Sequence, residues 1–166
     1  MEDIQKNPHI LEMLTIANEF CHLTEQIEHY EKEQIIPVYQ KVCALLYLKG
    51  CMLPDYKAEQ TVAIERFVTE EQWELIHQAI KKKFDTHDIF RYLDEEEIKT
   101  SEISEQITDI YQDMKDFILL YKKNLSASQE AAISEIIRLF KTNWGIKCII
   151  LSKVFHEIIN ELKQNK

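Results

Sequence analysis

NPHILEMLTIANEFCHLTEQI, residues 7–27, carries apolar side chains at Ile10, Met13, Leu14, Ala17, Phe20, Cys21, Leu23 and Ile27. Recurrence every three or four residues is the period of an amphipathic helix, whereas a half-buried strand alternates every second residue. Asn7-Pro8 opens the stretch with a capping residue followed by proline, whose fixed backbone angle and missing N–H suit the first helical position. The spacing predicts a helix from Pro8 to about Tyr30.

The same period continues along the chain. A second helix is expected through Val38, Val42, Leu45, Leu46 and Leu48, with Pro37 near its start and Gly50 as its stop. Residues 52–68 read as a connection whose Val62, Ile64 and Phe67 dock on the core. Thr69-Glu70-Glu71-Gln72 is a capping box that starts a third helix, which buries Trp73, Ile76, Ile80 and Phe84. Asp85 to Thr100 reads as an irregular loop, apolar enough at Ile89, Phe90, Tyr92 and Leu93 to pack down. A fourth helix begins near Ser101 or Ser104 and ends near Asn124, with Ile103, Ile107, Ile110, Met114, Phe117 and Tyr121 inward. Ser126 caps a fifth, Trp144-Gly145 makes a corner, and a last helix carries a wide stripe from Ile149 to Leu162 that should make it the most buried.

With two glycines and three prolines in 166 residues, the chain lacks the turn residues a many-stranded β fold requires. These readings together predict an all-α fold: a single bundle of five or six mostly antiparallel helices, with residues 1–166 forming one helical domain. The length suits one domain with a core of its own.

Net charge is −9, from 29 acidic and 20 basic residues. That sign opposes nucleic acid, which is gripped mainly through its phosphates. The basic run Lys81-Lys82-Lys83 instead complements the negative end of a helix dipole. No apolar stretch approaches the ~20 residues of a spanning helix, and the N-terminus shows no charged-then-apolar secretory signal. Cys21, Cys43, Cys51 and Cys148 form no CxxC pair, which argues against a structural zinc site. Cys21 and Cys148 sit in apolar patterns as small core residues. Free thiols and a cytoplasmic location are the expectation.

Leu45-Leu46-Tyr47-Leu48-Lys49, Phe67-Val68-Thr69-Glu70-Glu71-Gln72-Trp73-Glu74, Asp109-Ile110-Tyr111-Gln112-Asp113-Met114-Lys115-Asp116-Phe117 and Trp144-Gly145 together resemble an uncharacterised bacterial family of small helical domains of unknown function. The resemblance runs from the first helix to the last. It implies an all-helical bacterial cytosolic protein and transfers no active residue, because the family has no assigned chemistry.

Candidate chemistry comes from spacing. Glu19-Phe-Cys-His22 and Glu74-Leu-Ile-His77 are Glu-x-x-His pairs, the spacing that puts two metal ligands on one helix face in carboxylate-bridged bundles. Helical phase places Glu19 and His22 more than about 100° from the apolar stripe of their helix, on the solvent side, so the four do not converge. Glu71 with Glu74, and Asp113 with Asp116, have the Glu-x-x-Glu-type spacing of magnesium-dependent pyrophosphohydrolase helices. Among 29 acidic residues such spacings arise by chance. His87-Asp88 matches a phosphohydrolase dipeptide with no helical histidine to complete a ligand set. Gly50 and Gly145 stand alone, so no phosphate loop is present, and no serine nucleophile elbow occurs. Asp109, Asp113 and Asp116 fall opposite Ile107, Ile110 and Met114. They read as a solvated face that could receive a basic protein partner.

The leading expectation is therefore a non-enzymatic interaction module of unknown partner, without cofactor, nucleic acid or membrane. The alternatives are a metal-dependent bundle enzyme on Glu19, His22, Glu74 and His77, and a small-molecule binder with its pocket under residues 85–100.

Overall fold

The computed structural model describes residues 3–59 and 62–166. Met1, Glu2, Gln60 and Thr61 lie outside the described residues, and with them part of the N-terminal segment and of the 52–68 connection. Helix α1 spans Pro8–Glu25, with the Asn7 carboxamide accepting the His9 N–H at 3.0 Å. It ends before Tyr30, and Ile27–His29 continue as one 3-10 turn. Helix α2, Lys32–Cys51, starts on Glu31, whose N–H donates to Gln34 Oε1 at 3.0 Å; Pro37 lies inside it. Helix α3, Glu70–Phe84, has the expected cap, with Gln72 N–H on Thr69 Oγ1 and Thr69 N–H on Gln72 Oε1.

Residues 85–102 correct the expected irregular loop. Strands β1, Ile89–Asp94, and β2, Glu97–Glu102, pair antiparallel as a two-residue hairpin, a small addition to an otherwise helical fold. Helix α4 follows directly as Ile103–Tyr121. Its first turn is capped from a distance: Asp88 takes the Ser104 N–H at 2.7 Å and the Ser104 hydroxyl at 2.8 Å.

Helix α5, Ser126–Leu139, and α6, Gly145–Gln164, are joined by a π-helical turn at Phe140–Trp144. The expected corner at Trp144-Gly145 is thus continuous helix with its ladder locally widened. Gly50, read as a stop, is the next-to-last residue of α2, and it also lets that helix approach this turn: a Cβ there would stand 2.4 Å from Phe140 Cε2 and 2.7 Å from Trp144 Cη2.

α2 and α6 pack against each other, as do α4 and α5, α3 and α4, and α1 and α4. Phe20, Tyr39, Phe84 and Phe155 meet in one aromatic cluster. The most enclosed helix is α4, buried on nearly every side, rather than the last. Among the described residues, no helix is long and apolar enough to cross a membrane.

Candidate functional site

The Glu-x-x-His residues do not gather. Glu19 and His22 are exposed on α1, as phase requires, and Glu74 is exposed on α3 with its carboxylate taking Gln78 Nε2 at 2.6 Å. Only His77 is buried. Its ring stacks on Trp73 at 4.8 Å, and Nε2 faces Glu102 Oε2 at 3.3 Å. Among the described residues, no three His, Cys, Asp or Glu side chains stand close enough to hold one metal ion. Glu71 is exposed at the start of α3. His87 meets Lys32 Nζ at 3.2 Å, while Asp88 spends its carboxylate on the start of α4.

The three aspartates of α4 overturn the expected solvated face. Asp113 and Asp116 are buried, and all three are engaged within the fold. Asp109 accepts the Trp73 indole N–H at 3.1 Å and pairs with Lys147. Asp113 accepts Asn143 Nδ2, from the π turn, at 2.6 Å. Asp116 accepts the backbone N–H groups of Phe67 and Val68 at 2.8 and 2.9 Å. Arg66, half-exposed, spans the two, 3.8 Å from Asp113 and 3.4 Å from Asp116.

Burial, with Asp109 nearby, pushes the Asp113 carboxyl up to about 6, against the pull of Asn143, Arg66 and Lys147. A carboxyl tuned toward neutrality beside a cleft is a catalytic signature when the cleft admits a substrate. This cleft, between Arg66, Phe117 and Ile136, encloses only about 20 Å³. That is room for about one water, far below the roughly 300 Å³ at which ligand pockets start. The cluster fastens the 62–69 segment and the π turn to α4; it has no room to process a molecule.

The hairpin is different. Alternation along paired strands sets Ile89, Arg91, Leu93, Ile98, Thr100 and Glu102 on one face. On that face Ile89 is 65% exposed, Leu93 69% and Ile98 74%, and Leu93 and Ile98 are register partners. The opposite face leans Phe90 on the core, and Phe90 and Tyr92 touch at 5.9 Å. Glu102, at the base of the exposed face, binds Lys81 at 2.9 Å and His77, and the Lys81 ammonium holds its carboxyl below the usual range. The exposed apolar face therefore begins beside α3. Among the described residues the sheet has two strands, so each strand has an unpaired edge. Of the apolar residues expected to pack down, Phe90 does so, whereas Ile89 and Leu93 face solvent. The strands were not legible because Ile89–Asp94 does not alternate in sequence and the acidic tetrad at the tip lacks the usual turn glycine.

A family model described as a domain of unknown function matches residues 5–161. A structural-genomics protein of Bacteroides fragilis, solved by crystallography, shares the fold with a TM-score of 0.85 and 28% identity, over 93% of this chain and 94% of its own. No curated protein matches the chain.

Proposed function

The chain belongs to the DUF5063 family of domains of unknown function, a premise that supplies no chemistry, and from the geometry we propose that it is a non-enzymatic interaction module docking through its hairpin. The carrying observation is the exposed Ile89, Leu93 and Ile98 on a two-stranded sheet with open edges. Soluble surfaces rarely group large apolar side chains without use, and an open edge offers backbone hydrogen bonds to an added strand. We read residues 1–166 as one helical domain of a bacterial cytoplasm; the free Cys21, Cys43, Cys51 and Cys148 suit a reducing compartment.

The test compares partners recovered from cells by the native chain and by the double variant Leu93→Thr, Ile98→Thr. Threonine keeps strand propensity while removing most of the apolar surface. The expected result is a partner held by the native chain and lost with the variant. A partner set indifferent to the double substitution, or none above background for either chain, overturns the proposal.

A further inference from the structure

We infer that the hairpin's partner is an extended protein segment alternating apolar and basic residues, added as a third strand along β2. This rests on the docking reading above and adds the chemistry of what docks.

The backbone argument selects the strand. Glu97, Ile98, Lys99 and Thr100 are all exposed, whereas β1 alternates exposed and half-buried residues. A strand laid along β2 would place every second side chain on the face of Leu93 and Ile98, where an apolar residue covers them.

The charge argument selects the other half of the pattern. The tip reads Asp94-Glu95-Glu96-Glu97. Asp94 is paired with Lys99 across the hairpin. Among the described residues, Glu95, Glu96 and Glu97 form no ion pair at all, although fourteen pairs occur elsewhere. Glu95 and Glu96 form the turn beside the Leu93–Ile98 pair. Glu97 lies on the opposite face, where the added strand's other side chains fall and where Lys99 is already neutralised by Asp94. A second copy of this chain would bring an identical tip and another net charge of −9. Like charges set face to face disfavour association, and complementary ones speed encounter and fix register. Lysine or arginine alternating with apolar residues satisfies both the carboxylates and the exposed face.

The probes are two short synthetic peptides, one alternating valine with lysine and one alternating valine with glutamate, titrated into the full chain labelled with nitrogen-15. The lysine peptide is expected to move amide resonances of residues 89–102 selectively. Its affinity should fall several-fold between about 50 mM and 300 mM salt, as screening shortens the reach of the tip charges. The glutamate peptide should move none. Both Leu93→Thr, Ile98→Thr and the triple variant Glu95→Gln, Glu96→Gln, Glu97→Gln should weaken the lysine peptide. Silence from both peptides, equal binding of both, or shifts scattered over the whole acidic surface overturns the inference. If a cellular partner is still lost with Leu93→Thr, Ile98→Thr, the docking reading survives that result; if partner capture ignores the hairpin, the docking reading itself falls.

Discussion

Burial holds the Asp113 carboxyl at about 6, although Asn143 donates to it at 2.6 Å and the Arg66 guanidinium stands 3.8 Å away. An acid whose pKa is raised by folding binds its proton more tightly in the native state. Its contribution to stability is complete below the ordinary value of 3.8 and is lost as pH rises through about 6. The span is roughly 2 units at about 1.4 kcal/mol each, on the order of 3 kcal/mol. Asp113→Asn removes this dependence and keeps an oxygen for Asn143. Relative to the native chain, the variant should therefore gain stability between pH 4 and pH 7 and gain little more above. Comparing the two proteins by urea unfolding at each pH cancels the opposite trend of Glu25 and Glu135, whose carboxyls are held low by Lys115 and Arg138. A native–variant difference that ignores pH would refute the burial argument. The same residue shows what phase alone misses. Counting around the helix sets Asp109 and Asp116 away from Ile107, Ile110 and Met114, with Asp113 about a quarter turn from that stripe, but the step to a wetted face assumes one covered side per helix. The 62–69 segment and the π turn cover the other side, and those contacts are long-range in sequence.

Elements were legible where their signals are local. The capping box at Thr69 and the Asn7-Pro8 start each complete within a few residues, and both appear as read. The hairpin was not, because two-residue turns favour Asn-Gly or Asp-Gly, which supply a positive φ cheaply. Here Glu95 adopts φ 54° instead, so the turn left no trace in composition. Gly50 does mark the end of α2, one residue before Cys51, but its packing role was not legible, because a glycine's use depends on what approaches it. Trp144 is fully buried and ties its indole N–H to the Ile136 carbonyl at 3.1 Å, so its ring is fixed. Gly50→Ala would press a methyl against Phe140 and Trp144 at 2.4 to 2.7 Å. Overpacking of this kind costs about 1–3 kcal/mol. The expected outcome is a lower Tm, read by circular dichroism with the helical signal retained below the transition. An unchanged Tm would mean that the rings retreat and that the close approach of α2 to the π turn is not tightly enforced.

At the scale of the whole molecule, the fold divides into a central helix on which four others pack and a hairpin held mainly at its root. α4 packs on α1, α3, α5 and α6, with Ile107, Ile110 and Met114 wholly excluded from solvent. The hairpin is fastened through Asp88 to the start of α4 and through Glu102 to α3, and from there its tip extends into water. An isolated two-stranded hairpin is marginal in stability on its own. Local opening free energies follow buried contacts, so amide hydrogen exchange should separate the two regions. Amides of residues 107–117 are expected to exchange only through global unfolding. Those of residues 89–101 should exchange on the order of a thousand times faster, with the slowest near the root at Ile89 and Ser101. Pairing along β2 would order the hairpin at an entropic cost and make its exchange slow in the complex. Hairpin amides as protected as those of α4 in the free chain would place the sheet within the cooperative core. Docking would then carry no ordering cost, and the free hairpin would already present its β2 edge and its Leu93–Ile98 face to the added strand.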